Sequence, residues 1–427
     1  MQQHIVVFGP GPRFKGGIAN FTASLCEALY KQGHKVTLVS WTNQYPSIIP
    51  RDFLDKTSSN HPLSNTDIAI HYVTNFNNPV TWSNTISIIK KIKPDKIIFQ
   101  WAIAIQGLPI GYIAKRIKQE LPALKILFDV HNVTQKETGY LDKFLTRYAL
   151  EKADGYIMHG KLTEEEFKKI FPKLNLISIE EKNEQELNDQ ENKSILRLYH
   201  PVYSMFKTDE SFDIEAEKRK LGLGKFVFLF FGFIRKYKGL HYAIEAFSRI
   251  SKKYPEASLL IVGESFWNLE DKKSFAVKFK SWVFKILKSV LVKNKGDEKN
   301  YDPLSLIHRF KIEEKTIVIN RFIPNEEVYK WFMISDAVVN FYEYATPSGI
   351  ESLAYQFHKP VLATRVGHFA HSIQDGVNGY LAEEGDILSM TEAMEKIIKH
   401  PIAEDSVRDF AQKLSWENYA KAILSFK

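Results

Sequence analysis

The sequence predicts an α/β protein built from two doubly wound parallel-sheet domains of the Rossmann kind. Three observations carry this. Short apolar runs recur where fully buried parallel strands would lie, at residues 4–8, 35–40, 96–101 and 126–130. Segments of helical length and period separate them. The rhythm breaks near His200-Pro201-Val202 and restarts at residue 226.

Composition sets the bounds. The chain has 427 residues, 44% hydrophobic and 25% charged, enough for two sizeable cores. This excludes disordered, collagen-like and small disulfide-stapled classes. The single cysteine, Cys26, lies among the apolar positions Leu25 and Leu29, so it reads as a buried structural thiol. A net charge of +8 favours anionic partners. The N-terminal Met-Gln-Gln-His leads straight into a strand and lacks the pattern of a secretory signal. Residues 97–114 carry no charge, yet Gln100, Gln106, Gly107, Pro109 and Gly111 interrupt them, so they read as a strand, a loop and a helix start rather than a membrane span. The expected location is cytoplasmic.

In the first domain, a helix is expected over 18–32, with Ile18, Phe21, Leu25, Ala28 and Leu29 on its apolar face. Residues 180–193 are almost wholly polar and read as a solvated loop. In the second domain, strands are expected at 226–231, 258–262, 316–319, 337–341 and 360–364, with helices at 240–252 and 325–334 among those between them. Residues 405–427 are helical in pattern with no strand of their own. The domain limits become 1–203, 204–404 with an insertion at 266–303, and a C-terminal helical segment at 405–427.

Ligands of open parallel sheets sit beyond the carboxyl ends of the strands, so chemistry is sought in four post-strand loops. The first runs Gly9-Pro10-Gly11-Pro12-Arg13-Phe14-Lys15-Gly16-Gly17. Its glycines do not have dinucleotide-fingerprint spacing, and no acid follows the strand ending at Ser40-Trp41. It reads as a phosphate- or sugar-facing loop, with an ordinary tight turn as the alternative. In the second, His131-Asn132 follows a buried strand; a structural histidine is the alternative. The third, Gly232-Phe233-Ile234-Arg235-Lys236-Tyr237-Lys238-Gly239, concentrates cations at a strand end, as a diphosphate would require. A solvated basic loop is the alternative. The fourth holds Glu343 and, eight residues on, Glu351, with Pro347-Ser348-Gly349 opening a helix between them. Two carboxylates can accept from sugar hydroxyls, and the helix N-terminus favours phosphate oxygens. A surface Glu pair beside a helix cap is the alternative.

Taken in order, these residues resemble the retaining glycosyltransferases of family 4, which have the GT-B fold. Gly16-Gly17-Ile18, His131-Asn132, Phe231-Gly232 through Lys238-Gly239, Glu343-x7-Glu351, Val366-Gly367 with Asp375-Gly376-Val377-Asn378-Gly379, and the Ser415-Trp416-Glu417 tail look like successive family motifs over nearly the whole chain. The resemblance implies two domains facing a cleft, with a C-terminal helix crossing back to the first. It implies a hexosyltransferase moving a sugar from a nucleoside-diphosphate donor to a glycan or lipid-linked acceptor, as in bacterial cell-surface polysaccharide synthesis. Glu343 would accept from the donor sugar and Glu351 from the ribose. Arg235, Lys238 and the N–H groups near Ser348 and Gly349 would neutralise the diphosphate. Gly16, Gly17 and His131 would line the reaction centre, and Phe322 would sit near the base. No Asp-x-Asp metal motif is present, so no metal or other cofactor is expected. Phe233 stands where the family commonly places an arginine, and Ile350-Glu351-Ser352-Leu353-Ala354 departs from the frequent pattern, which leaves the donor open. An epimerase-like enzyme and a catalytically silent relative are the alternatives.

Within the insertion, Phe275, Phe279, Trp282, Val283, Ile286, Leu287 and Val290 form an apolar stripe, with Lys273, Lys278, Lys280, Lys285 and Lys288 opposite. Contact with an anionic membrane through 270–293 is the expectation, at the inner face of the cell membrane, with packing on the domain as the alternative. No nucleic-acid partner is expected.

Overall fold

Continuous apolar strands with both faces covered order the first unit. The computed structural model describes residues 2–45, 53–58, 63–133, 140–174, 176–179, 193–265 and 301–426. Two compact units divide the chain. Among the described residues, one comprises those up to Tyr199 together with those from Trp416 onward, and the other those from His200 to Ser415.

Among the described residues, the first unit has eight strands: β1 (His4–Phe8), β2 (Lys35–Asn43), β3 (Ala69–Asn75), β4 (Lys96–Trp101), β5 (Lys125–Val130), β6 (Gly155–Met158), β7 (Leu176–Ile179) and β8 (Lys193–Arg197). They form one sheet in the order β3-β2-β1-β4-β5-β6-β8-β7, parallel throughout. Helices α1 (Gly17–Lys31), α2 (Pro79–Ile92), α3 (Gly107–Glu120), α4 (Tyr140–Leu150) and α5 (Lys161–Ile170) connect them. Phe8, Phe99 and Phe128 stand side by side across β1, β4 and β5 and are fully buried. Phe99 and Phe128 stack at 5.0 Å. The uninterrupted apolar runs that announce these strands are the price of covering a sheet on both faces.

The second unit repeats the plan: β9 (Phe226–Phe231), β10 (Ala257–Val262), β11 (Thr316–Ile319), β12 (Ala337–Asn340), β13 (Val361–Thr364) and β14 (Gly379–Ala382), in the order β11-β10-β9-β12-β13-β14 and all parallel. Its helices are α6 (Ile214–Lys220), α7 (Leu240–Lys253), α8 (Ser305–Phe310), α9 (Val328–Met333), α10 (Gly349–Gln356), α11 (Phe369–Ser372), α12 (Ile387–Lys399) and α13 (Glu404–Gln412). The fold is the expected α/β pair of parallel sheets.

Differences from the sequence reading are local. The helix expected over 325–334 opens as a 3-10 turn, Asn325–Glu327, before α9; Pro324, with φ −59° and ψ 151°, leads into it as an extended residue. The helical pattern at 405–427 is two helices, α13 in the second unit and α14 (Trp416–Ser425) in the first. β3, β6, β7, β8 and β14 lacked a distinct apolar run and went unread. The proposed insertion, apart from residues 301–303, lies outside the described residues, as do 180–192. Among the described residues, no helix is long and apolar enough to cross a membrane.

Strand order reverses between β1 and β4 in one sheet and between β9 and β12 in the other. Each reversal parts the loops beyond the strand ends and creates a ligand crevice.

Helix α14 is fixed in the first unit by an unusual clamp. The buried Lys96 Nζ donates to the carbonyls of Ile423 (2.9 Å) and Phe426 (3.0 Å). An ammonium there satisfies orphan carbonyls at a helix C-terminus. Burial, helped by Lys125, lowers its pKa to about 8. Replacing Lys96 with Met should cost about 2–3 kcal/mol, because two buried carbonyls lose their donor. Denaturant unfolding measures the loss, and hydrogen exchange should show it concentrated in α14.

Candidate functional site

In the second unit the site is built at the β9/β12 reversal. After β9 the chain turns at Gly232 and closes a 3-10 turn, Lys236–Lys238, ended by Gly239 at φ 62° before α7. After β12 it runs through Phe341 and Tyr342 to Glu343, whose N–H donates to the Tyr237 carbonyl at 2.8 Å. That bond ties the basic turn to the acidic loop. Ser348 then caps α10, its Oγ accepting from the Ile350 N–H at 3.3 Å. The third loop, after β13, joins them: the His368 N–H donates to the Ala345 carbonyl at 2.9 Å.

Lys238 is central to this arrangement. A Cβ built on Gly232 would lie 3.0 Å from Lys238 Nζ and 3.2 Å from Ile350 Cδ1, so the ammonium and the Ile350 side chain, which comes from the first turn of α10, meet above that glycine. Lys238 is partly exposed as a residue, but its ammonium is enclosed, 5.7 Å from the Tyr342 ring centroid. Burial, with Arg235 adding repulsion, lowers its pKa to about 7. The Arg235 guanidinium lies 5.0 Å from the Tyr237 ring centroid on the same turn. A lysine whose charge is disfavoured by burial and by a neighbouring arginine gains most from the arrival of an anion.

The two glutamates have different surroundings. Glu343 is partly exposed, with its Oε1 4.0 Å from His241 Nε2. His241 shares a 2.9 Å hydrogen bond with the Tyr301 hydroxyl, and burial lowers its pKa to about 4, so it faces Glu343 as a neutral ring. Glu351 is buried. It accepts from the Tyr355 hydroxyl at 3.2 Å, and His368 Nε2 lies 3.3 Å from its other oxygen. Tyr355 and His368 hold Glu351 in place, and sequence reading missed both. Phe322 follows β11 on the same sheet edge, two strands from β9, on a loop where the Asn320 side chain accepts from the Ser265 N–H.

In the first unit, Gly16 (φ 108°) and Gly17 open α1, with no atom within 4 Å of a Cβ built on Gly16. The loop before them is anchored: Arg13 donates to the Trp41 carbonyl at 2.7 Å, and Gly11 N–H donates to Ser40 Oγ at 2.8 Å. His131, just past β5, is buried and packs edge-on to Phe21 of α1 at 4.6 Å. Burial lowers its pKa to about 4; Asp129 pulls it back up and His159 pushes it further down. Its Nε2 lies 2.7 Å from Gln100 Oε1. Asp129 is fully buried and accepts from His159 Nε2 (2.7 Å), Tyr419 Oη (2.9 Å) and Gln100 Nε2 (3.4 Å). Burial raises this carboxyl, but His159 and its hydrogen bond, with His131 and Tyr419, more than offset that and hold it low.

Asp129, His131 and His159 bring ligand atoms within 4.8 Å of one another, a spacing a metal could use. Asp129 and His159 are bonded to each other and His131 to Gln100, so the group forms a hydrogen-bonded network. A signal for it was present: Gln100 and Asp129 are polar interruptions of apolar strands, and they stand opposite each other in the β4–β5 register.

Residues 211–414 match the family described as Glycosyl transferases group 1. Spore coat protein SA of Bacillus subtilis (strain 168) is 22% identical over 245 residues, 54% of this chain and 55% of the relative, so the chain spans about half the length of that curated relative. Among solved structures, Anabaena HepE in complex with UDP-glucose aligns with a TM-score of 0.67 at 14% identity, over 99% of this chain and 100% of that one. Sucrose-phosphate synthase from Thermosynechococcus elongatus aligns with a TM-score of 0.62 at 14% identity, over 99% and 97%. At such identities the structures show a shared fold. Residues 211–414 are thus similar to the Glycosyl transferases group 1 domain, and the chain shares the two-sheet α/β fold of these solved GT-B structures.

Proposed function

We propose that the protein is a retaining glycosyltransferase of family 4, a hexosyltransferase that moves a sugar from a nucleoside-diphosphate donor to a glycan or lipid-linked saccharide. The observation that carries this is the meeting of the Lys238 ammonium and the side chain of Ile350, a residue of the first turn of α10, above Gly232 at the switch point of the second sheet. Bond cleavage at the donor leaves negative charge on a departing diphosphate. Fixed cations and free helix N–H groups stabilise that charge without reorganising. In this reading Lys238 and Arg235 bind the diphosphate together with the N–H groups near Ser348 and Gly349. Glu351, held by Tyr355 and His368, accepts from the ribose. Glu343 accepts from hydroxyls of the sugar. Phe322 borders the base, and Gly16, Gly17 and His131 face the reacting sugar. The charge on this set does the work a metal would otherwise do, so transfer is metal-independent. HepE, with UDP-glucose bound, supports a nucleotide-sugar donor.

The test is thermal stability against UDP, GDP, ADP and their sugars, each with and without EDTA. A ligand at about 100 times its Kd adds about 2.7 kcal/mol, which moves the midpoint of a domain this size by about 5–10 °C. Stabilisation by one nucleotide series, unchanged by EDTA, is the expected result and names the base. Stabilisation by none overturns the donor site, and stabilisation abolished by EDTA overturns metal independence.

A further inference from the structure

The buried network behind His131 has a definite direction. Ionised Asp129 can only accept. The Gln100 amide facing it must therefore present Nε2–H to the carboxylate and turn Oε1 away. Oε1 is the atom 2.7 Å from His131 Nε2, so His131 must donate from Nε2. A neutral ring that donates from Nε2 carries its lone pair on Nδ1. Tyr419 saturates the same carboxylate from α14, 290 residues away in sequence. Ring packing also holds His131: it stacks on His159 at 5.0 Å and packs edge-to-face with Phe21 at 4.6 Å.

We propose that Asp129 is a positioning residue that acts through Gln100 to lock His131 as the Nε2–H tautomer, so that Nδ1 serves as an acceptor for a substrate hydroxyl. The last clause rests on the transferase reading; the tautomer does not. Lone-pair geometry decides which partner is accepted. With Nδ1 unprotonated, His131 receives a hydrogen bond from a hydroxyl, and it cannot donate one to a phosphate or carbonyl oxygen from that atom. Asp129→Asn reverses the logic. An amide at 129 can donate to Gln100, which then turns its own Nε2–H toward His131 and selects the opposite tautomer. A wrong tautomer with intact geometry is known to cost a catalytic histidine about 10⁴ in kcat.

The experiment is long-range ¹H–¹⁵N correlation spectroscopy on the full chain with ¹⁵N-labelled histidine, without substrate, the His131 signals being identified by their loss in His131→Phe. Wild-type protein should show His131 neutral at pH 7 and protonated at Nε2. Asp129→Asn should move the proton to Nδ1. Gln100→Leu, which removes the acceptor and keeps the apolar volume, should populate both tautomers and serves if Asp129→Asn does not fold. A wild-type Nδ1–H tautomer, a charged ring at pH 7, or a tautomer unchanged in the folded variants overturns the proposal. Because no ligand enters the measurement, it stands or falls apart from the donor assignment. If the tautomer holds and transfer is detected, Asp129→Asn should lower kcat by at least about 10²-fold with KM little changed.

Discussion

Lys238→Met should lower kcat/KM for sugar transfer by about 10²–10³-fold, the usual cost of deleting one preorganised charge-stabilising donor, while leaving the unliganded protein as stable or more so. The second half follows from burial. The enclosed ammonium has its pKa lowered to about 7 from 10.5, so charge at this position is costly in the free fold, and a thioether chain of similar length removes that cost. The pH dependence has a definite sign. Between about pH 7 and 10.5 the unfolded chain holds a proton that the fold has released, so this group makes stability rise with pH across that window. The rise should shrink in the variant. Ligand binding runs the other way. A diphosphate favours the charged lysine, so nucleotide affinity in the wild type should weaken as pH climbs through 7, and binding below that point should carry a smaller proton uptake. Calorimetry in buffers of different ionisation enthalpy measures the uptake. An uptake that persists in Lys238→Met would assign it elsewhere.

Gly239→Ala should be the most damaging small substitution in the second unit, costing about 3–5 kcal/mol. Gly239 sits at φ 62° and ends the turn that carries Lys238. A methyl there would lie 1.8 Å from the Phe341 carbonyl oxygen, at the end of β12, and 3.1 Å from the Tyr242 ring. The first obstacle is backbone, so no rotamer change relieves it. The left-handed conformation adds its own penalty of about 1 kcal/mol. The chain must open the gap between the β9 and β12 loops, which also breaks the Glu343–Tyr237 hydrogen bond and displaces the lysine. Urea unfolding should show a lower midpoint, and nucleotide affinity should fall with it. A variant with wild-type stability would mean the loop yields without strain.

Sequence made the framework legible because covering a parallel sheet on both faces demands uninterrupted apolar runs; β4, β9 and β11 are bounded where those runs are. β6 and β14, four residues each and holding glycine, lack that signature. The loops bearing Lys238, Glu343 and Glu351 could be read because cations, carboxylates and a helix cap are conspicuous at strand ends. What fixes them could not. Tyr355 supports Glu351 from one helical turn away, and His368 reaches it from the next strand's loop. Both look like ordinary residues until the chain is folded. Tyr419 is the extreme case, since nothing near it in sequence hints at a carboxylate on β5.

The return of α14 to the first unit also sets an order of assembly. Its anchors span 290 residues, from Asp129 to Tyr419, and 330, from Lys96 to Phe426. Contacts so distant along the chain form late. During synthesis the whole second sheet, finished at Ala382, has emerged before the helix that completes the first core exists. The half of the protein translated first is therefore the half that matures last. Until then it carries an uncovered Lys96 and Asp129, and in that interval its vulnerability to proteases and to aggregation should be greatest.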